Sequence, residues 1–291
     1  MKLKRVVLLA MTEVAKRIDC AKNYVCGWQR DGLSVGFVPT MGCLHAGHLS
    51  LIERSVKEND RTVVSIFVNP AQFGPGEDLA EYPRDFEADL SLCTRAGVDL
   101  IFAPDEADIY PRDHRTYVDV DRLTDNLCGK SRKGHFRGVC TVLVKLFNIL
   151  KPTRAYFGKK DAQQLCVVRR MVEDLNMDLT VVGCDIVREK DGLAMSSRNR
   201  YLDQAEREAA LSLRRALSFA ETIISSGQRN VSAIKAEVVD FISNQPLIKL
   251  DYFEIVDERN MQPINVVKKP CLCAIAAYVG KTRLIDNFYY E

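Results

Sequence analysis

Apolar residues along this chain form short unbroken runs that are separated by runs with a helical period. Strands are predicted over residues 34–38, 62–68, 98–103, 153–157 and 179–187, and helices over 47–58, 84–96, 138–150 and 162–176. Nearly continuous apolar strands with helices between them are typical of a parallel sheet covered on both faces. We therefore predict an α/β fold with a Rossmann-like parallel sheet and helices on both of its faces.

The pattern changes after about residue 186. Residues 203–226 and 231–243 have a helical period, whereas strands are predicted over 250–257, 271–279 and 282–286 with no helix between them. Such an arrangement indicates a smaller α+β unit with an antiparallel sheet. We therefore expect a Rossmann-like domain over residues 1–185 and a smaller C-terminal α+β domain over residues 186–291.

Two histidines follow the first predicted strand. His45 and His48 lie in the segment PTMGCLHAGHLSL, where Gly42 and Gly47 allow a ligand to approach the backbone closely. Residues three apart share a helical face, so both imidazoles are expected to be exposed on a first turn, beside free backbone N–H groups. This combination predicts a nucleotide phosphate site. The alternative is a tight βα turn that carries two solvated histidines.

Polar residues also follow other predicted strands. Asn69 and Gln72 come after the second strand, and Lys160 and Gln164 come after a later one. In parallel sheets of this kind, ligands bind at the carboxyl ends of the strands, near a topological switch point. We therefore expect these side chains to lie at the same edge as the two histidines.

Five segments, in chain order, resemble the pantothenate synthetase (pantoate–β-alanine ligase) family of the nucleotidyltransferase superfamily. They are PTMGCLHAGH with its HIGH-type signature, FVNPAQF at residues 67–73, YPR at 82–84, FGKKDAQQ at 157–164 and DGLAMSSRN at 191–199. The resemblance implies an ATP-dependent ligase that condenses (R)-pantoate with β-alanine. Pantoyl-adenylate would be the intermediate, and AMP and pyrophosphate would be released.

The resemblance also implies roles for individual residues. Catalytic residues are expected to be His45, His48, Lys160 and Arg198. ATP-binding residues are expected to be Met41, Gly42, Cys43, Leu44, His45, Ala46, Gly47, His48, Gly158, Lys159, Lys160, Asp161, Val187, Met195, Ser196, Ser197 and Arg198. Residues that bind pantoate or β-alanine are expected to be Thr40, Asn69, Gln72 and Gln164.

The residue types suit these roles. Charge that develops on phosphate oxygens is stabilised by cations and N–H donors, which histidine, lysine and arginine supply. The string Met195–Arg198 resembles the second superfamily signature, a mobile phosphate loop, although alone it is also typical of a helix N-cap. Glutamine offers uncharged donors and acceptors that fit pantoate hydroxyls. Taken alone, Gln164 is also typical of a solvated helix residue.

ATP implies Mg²⁺, which is commonly held by substrate phosphates and one or two carboxylates. The candidate ligands are Asp89 and Asp161. Asp85, Glu87 and Asp89 also fit an exposed helix face, which is the preferred interpretation for the first two. Lys159 stands where the family often has glutamate. This exchange leaves open which of the neighbouring cations contacts phosphate.

Composition restricts the cellular setting. The 291 residues carry a net charge of +2 with acids and bases interspersed, so there is no electrostatic footprint for nucleic acid. The apolar run Val6–Met11 is shorter than a secretory h-region and is expected to begin a fold. No run approaches the roughly 20 residues of a membrane span. We expect a cytoplasmic enzyme without membrane or nucleic-acid partners, and the resemblance implies a homodimer.

The ten cysteines include no C-x-x-C pair and no spacing suited to zinc. Most lie in apolar segments, where a reduced cysteine behaves as a small hydrophobic residue, and a disulfide framework is not expected. Cys43 occupies the phosphate turn itself. A nucleophilic thiol is the alternative there, but the resembled family needs none.

Two other functions remain to be distinguished. A nucleotidyltransferase would leave the adenylyl group on its product and would need no amine. An RNA-binding module derived from a synthetase would lack small-molecule chemistry, but the absence of a basic patch argues against it.

Overall fold

A computed structural model describes residues 12–291 of the chain. The apolar run Val6–Met11 lies outside the described residues. The strands are β1 Glu13–Ala15, β2 Val35–Thr40, β3 Arg61–Ile66, β4 Leu100–Phe102, β5 Arg154–Gly158, β6 Thr180–Cys184, β7 Ile248–Asp257, β8 Cys271–Val279 and β9 Thr282–Tyr290. The α-helices are α1 Ile18–Arg30, α2 Ala46–Glu58, α3 Phe86–Ala96, α4 Glu106–Ile109, α5 Leu127–Ser131, α6 His135–Leu150, α7 Ala162–Asp174, α8 Gln204–Ser225 and α9 Val231–Ser243.

The first six strands form one parallel sheet in the order β1-β4-β3-β2-β5-β6. From β2 the chain builds outward through β3 and β4, and then it returns to add β5 on the other side of β2. The strand order therefore reverses between β2 and β5, and this is the topological switch point of the sheet.

Alternate residues of the strands enter two apolar cores, because successive side chains point to opposite faces of a sheet. Phe37 and Val63 pack in one core with α1, α6 and α7, whereas Val38 and Val64 pack in the other with α2 and α3. Helices therefore cover both faces. The predicted α/β fold is confirmed, including its nearly continuous apolar strands.

The last three strands form an antiparallel sheet in the order β7-β8-β9. One face of this sheet, with Ile255 and Ile275, packs under α8 and α9 in a core of its own. The opposite face contributes Val256, Leu272 and Ala274 to the core that also contains Phe37. The predicted α+β architecture is confirmed, and its sheet is packed directly against the parallel-sheet unit.

The sequence pattern missed several elements. It gave no signal for β1, α1 or the short α5, and it ended the last strand at residue 286, although β9 continues to Tyr290. β6 ends at Cys184 rather than at residue 187. Within the described residues, no helix is long and apolar enough to cross a membrane.

Candidate active site

A cavity of about 240 Å³ opens where β2 and β5 end, which is the switch point of the sheet. The predicted site residues that line it are Thr40, Met41, His45, Gly47, His48, Asn69, Gln72, Gly158, Lys160, Asp161, Gln164, Val187, Met195, Ser196, Ser197 and Arg198. Residues from four separate parts of the sequence therefore meet in one cavity. The predicted residues outside its lining are Gly42, Cys43, Leu44, Ala46, Lys159 and Asp89.

The turn after β2 is held by a buried carboxylate. Cys43 N–H donates to Asp89 Oδ2 at 2.8 Å, and Leu44 N–H donates to Asp89 Oδ1 at 2.7 Å. Gly42 and Cys43 both have positive φ, +81° and +51°. At Gly42 a side chain would also meet Asp89, because an added Cβ would lie 2.9 Å from its Oδ2. Glycine is therefore required here for backbone conformation as well as for space.

These contacts correct the expectation that Asp89 is a metal ligand. Its side chain is 2% exposed, and both of its oxygens accept backbone hydrogen bonds. Burial raises the pKa of Asp89, and the two backbone N–H groups act against this rise. The sequence suggested an acidic helix face, but α3 turns Asp89 inward toward the turn after β2.

His45 and His48 cap the beginning of α2. His45 Nδ1 accepts the Gly47 N–H at 3.1 Å, and His48 Nδ1 accepts the His45 N–H at 3.3 Å. Their rings stack with centroids 4.0 Å apart. The expectation of exposed imidazoles beside free N–H groups was wrong, since both side chains are half-buried and two of these N–H groups are bonded to the rings.

Burial keeps the two rings neutral, and the capping bonds fix their tautomer. Burial and then the charge of Lys160 lower the pKa of His45 to about 4. Burial, the His45 ring and Lys160 together lower the pKa of His48 well below its ordinary value. Both rings are therefore neutral at pH 7. Because Nδ1 accepts in each, the proton is on Nε2, and each ring presents one N–H donor.

The turn after β5 brings Lys160 and Asp161 into the cavity. Asn287 of β9 donates from Nδ2 to the carbonyl oxygens of Lys159 and Lys160, at 3.1 and 2.8 Å. The second sheet therefore fixes the backbone at this point. Lys159 Nζ pairs with Asp185 at 2.7 Å, so of the two adjacent lysines it is Lys160 that lines the cavity.

An apolar wall with uncharged polar groups forms another part of the cavity. Phe67, Val139 and Val142 line it, and Gln72 lies among the polar lining residues. Gln72 Oε1 accepts from Asn69 Nδ2 at 3.0 Å, and its Nε2 lies 3.1 Å from the sulfur of Met41. The Gln72 amide is therefore oriented by its neighbours before any ligand arrives.

Sequence reasoning missed Arg132 and His135, which also line the cavity. His135 Nδ1 lies 2.8 Å from the Gln72 carbonyl oxygen, and its Nε2 lies 3.0 Å from Arg132 Nη1. A carbonyl can only accept and a guanidinium can only donate, so His135 is neutral with its proton on Nδ1. Burial, followed by the charge of Arg132, lowers its pKa to about 4. No motif in the sequence marked this pair.

The predicted phosphate-loop residues reach the same cavity. Ser196 caps the short 3₁₀ helix Ser197–Tyr201, with its Oγ accepting the Arg198 N–H at 3.3 Å. The Arg198 guanidinium forms a two-point ion pair with Asp78. The alternative interpretation of this string as an N-cap is therefore correct for Ser196, and it is compatible with a phosphate-binding role.

The cysteines are free thiols, and Cys43 is buried. Burial raises the pKa of the Cys43 thiol above its ordinary value. A thiol in this state is a poor nucleophile. Among the described residues, no group of three or more His, Cys, Asp and Glu side chains could hold a metal ion.

Comparisons with known proteins agree with this geometry. The profile of the pantoate-beta-alanine ligase family matches residues 13–289. A pantothenate synthetase from Clostridium novyi (strain NT) is 54% identical over 275 residues, which cover 94% of this chain and 97% of that protein.

Two solved structures are also similar. The crystal structure of pantothenate synthetase from Thermus thermophilus superposes with a TM-score of 0.89 and 43% identity, over 95% of this chain and 99% of the other. A pantoate-beta-alanine ligase from Francisella tularensis, complexed with beta-gamma ATP and β-alanine, has a TM-score of 0.78 and 33% identity, over 96% and 97%. This chain therefore belongs to the pantoate–β-alanine ligase family.

Proposed function

We propose that the chain condenses (R)-pantoate with β-alanine to pantothenate, driven by the cleavage of ATP. The observation that carries this proposal is the composition of the 240 Å³ cavity at the switch point. It combines two neutral histidines and the cations Lys160 and Arg198 with an uncharged glutamine pair, Gln72 and Gln164. The histidines and cations suit the charged phosphates of ATP, whereas the glutamines suit the hydroxyl groups of a small hydroxy acid.

In the first step, a pantoate carboxylate oxygen attacks the α-phosphorus of ATP. The new P–O bond forms as the bond to the β-phosphate oxygen breaks, and pyrophosphate leaves. The Nε2–H donors of His45 and His48 and the ammonium of Lys160 would neutralise charge on the phosphate oxygens. Neutral histidines suit this role because each Nδ1 is already held by the backbone, which fixes the direction of its N–H.

In the second step, the β-alanine amine attacks the acyl carbon of the adenylate. The C–N bond forms, the bond to the AMP oxygen breaks, and the amine loses a proton. The apolar wall of Val139 and Val142 would hold the methyl groups of pantoate, while Gln72 and Gln164 would hold its hydroxyls and carboxylate. Thr40 and Asn69 would complete this end of the site.

Mg²⁺ is part of the proposal because it accompanies ATP. The described residues offer Asp161 and Asp185 at the cavity, and Asp185 is paired with Lys159, whereas Asp89 is committed to the turn after β2. One carboxylate fits an ion that is held mainly by substrate phosphates. The ion would supply further neutralisation of phosphate charge.

The division at residue 185/186 and a lid function for residues 186–291 are also proposed. The support is that Met195–Arg198 follow this boundary and line the same cavity as the histidines after β2. Closure over the nucleotide would exclude water that could hydrolyse the adenylate. Hydrogen exchange across residues 186–202 tests this, since a nonhydrolysable ATP analogue should slow exchange in the wild type but not in Arg198→Ala.

We further propose that the enzyme is a cytoplasmic homodimer. The support for the compartment is that the ten cysteines, all within the described residues, are free thiols, as in proteins of reducing compartments. Support for the dimer comes from the family alone. Analytical ultracentrifugation of the full chain measures the oligomeric state directly.

Product analysis tests the reaction. Incubation with ATP, pantoate and β-alanine should yield pantothenate, AMP and pyrophosphate, and omission of any one substrate should abolish pantothenate. Exchange of labelled pyrophosphate into ATP should require pantoate but not β-alanine. Exchange that depends absolutely on β-alanine would contradict the adenylate intermediate. An adenylylated product that persists in the presence of β-alanine would identify a nucleotidyltransferase instead.

A further inference from the structure

Two consecutive carboxylates, Glu77 and Asp78, bind two different arginines of the cavity. Glu77 accepts from Arg132 Nε and Nη2 at 2.7 and 2.6 Å. Asp78 accepts from Arg198 Nε and Nη2, both at 2.7 Å. The arginines come from distant parts of the sequence, so the segment that carries these carboxylates links the two sides of the cavity.

The two arginines differ in what they have left to donate. Arg132 Nη1 donates to His135, and its Nη2 also reaches the Gln72 carbonyl oxygen at 3.4 Å. Four of its five N–H donors are therefore committed to protein groups. The bonds of Arg198 to Asp78 use Nε and Nη2, which leaves both protons of Nη1 for a ligand.

The segment 77–82, which we call the strap, contacts the 3₁₀ helix Ser197–Tyr201 at further points. Tyr82 is buried, and its hydroxyl lies 3.2 Å from Ser197 Oγ. Tyr201 OH donates to the Glu81 carbonyl oxygen at 3.2 Å. The Tyr82 ring also lies 5.9 Å from the Arg198 guanidinium carbon. Asp78, Glu81 and Tyr82 of the strap thus contact this 3₁₀ helix, through a carboxylate, a carbonyl and a hydroxyl respectively.

Partial burial favours a fixed ion pair between Asp78 and Arg198. Their side chains are 25% and 26% exposed. Burial raises the pKa of Asp78, but the hydrogen bonds and charge of Arg198 outweigh it and hold that pKa below its ordinary value. Asp78 is therefore ionised at neutral pH. A two-point contact of this kind fixes both the position and the plane of a guanidinium.

We propose that Asp78 is a positioning residue that holds the Arg198 guanidinium in the orientation needed to bind the leaving phosphates of ATP. This inference rests on the proposed function of Arg198. An arginine that is already fixed loses less conformational freedom when the nucleotide binds. The opposite effect of Asp78, repulsion of phosphate by its negative charge, predicts that its removal strengthens nucleotide binding.

Pyrophosphate–ATP exchange in the full-length enzyme separates these possibilities. Asp78→Asn keeps the shape of the side chain and removes its charge, and Asp78→Ala removes both oxygens. We expect kcat/KM for ATP to fall roughly 10- to 100-fold, as for loss of an outer partner of a ligand-binding group. The KM for pantoate should change less than about 2-fold. Asp78→Glu should recover part of the loss because it restores a carboxylate.

A matched control is available in the ion pair of Glu254 with Lys235. Its N–O distance is 2.7 Å, and its side chains are 27% and 34% exposed, close to the values for Asp78 and Arg198. Glu254→Gln should leave exchange unchanged. Circular dichroism and thermal unfolding of every variant would show that the fold is retained.

A double-mutant cycle with Arg198→Ala tests whether Asp78 acts through Arg198. In the Arg198→Ala background, Asp78→Ala should lower kcat/KM for ATP by less than about 3-fold, because the guanidinium that Asp78 positions is absent. Full additivity, or stronger ATP binding in Asp78→Asn, would overturn the inference while leaving the proposed reaction intact. If Arg198→Ala alone exchanged at the wild-type rate, the phosphate role of Arg198 would be wrong, and the inference would fall with it.

Discussion

His48 accepts the backbone N–H of His45 through its Nδ1 atom at 3.3 Å, and the two rings stack at 4.0 Å. Each ring thus uses one nitrogen for the fold and presents the other as a donor. This relationship means that a substitution at either position removes a helix cap as well as the proposed contact to ATP. Activity and stability must therefore be measured together to assign a role to either histidine.

His45→Ala should lower pyrophosphate–ATP exchange by roughly 10²- to 10³-fold, the usual cost of losing one transition-state donor. It should also lower the free energy of unfolding by about 1 kcal/mol, because the N-cap is lost. His45→Asn should restore stability, since asparagine is a favoured N-cap residue, while exchange stays low. Urea unfolding and exchange kinetics measure the two effects separately. Near-wild-type exchange in either variant would show that His45 has only a structural role.

Gln72→Ala and Gln164→Ala should impair pantoate use much more than nucleotide binding. Uncharged amides suit hydroxyl groups, whereas a triphosphate needs cations and N–H donors. We expect KM for pantoate to rise while the Kd for an ATP analogue, measured by calorimetry, changes little. The assignment would be wrong if ATP affinity collapsed in these variants and pantoate affinity held.

Asp89→Ala should destabilise the protein rather than remove a metal. Two buried backbone N–H groups, those of Cys43 and Leu44, would lose charged acceptors, which costs about 3 kcal/mol or more in total. Because this turn leads into His45, activity should fall as well. Excess Mg²⁺ should not restore that activity. If it did, Asp89 would be a metal ligand after all.

The sequence was informative wherever local pattern determines structure. The apolar strands and the helix after them were enough to locate His45, His48, Lys160 and Gln164 at one edge of the sheet. The same reasoning was wrong about Asp89, because three acids at the beginning of a helix do not reveal that a turn with unsatisfied N–H groups packs against one of them. Burial of a charged group depends on its partner, and the partner is 45 residues away in sequence.

The residues that the sequence did not reveal share a property. Arg132 and Asp78 form ion pairs over 55 and 120 residues, with Glu77 and Arg198 respectively. Charged residues in a loop are compatible with simple solvation, so neither loop position indicated an ion pair. The short strand β1 was missed for a related reason, since three residues carry too little periodicity to be distinguished from a loop.

The low pKa of His135 in the folded protein should make the protein less stable in mild acid, because His135 is protonated there in the unfolded chain but not in the folded one. Its pKa is about 4 in the folded protein, because burial and Arg132 outweigh the Gln72 carbonyl, Glu77 and Asp161. An unfolded histidine has a pKa near 6.5. Between these values the unfolded chain binds more protons than the folded one, so the free energy of unfolding falls as pH is lowered. For His135 alone the loss is about 2 kcal/mol at pH 5.

His135→Asn isolates this contribution, since an asparagine amide can still donate to the Gln72 carbonyl but does not titrate. The variant should be less stable than the wild type at pH 7, where the contact to Arg132 is lost. It should also lose less stability between pH 7 and pH 5, by about 2 kcal/mol. Other titrating groups, including His45 and His48, contribute equally to both proteins and cancel in the difference. Urea unfolding at pH 7, 6 and 5 measures how the free energy of unfolding depends on pH in the wild type and in the variant. Equal slopes would show that His135 is protonated in the folded state at pH 5.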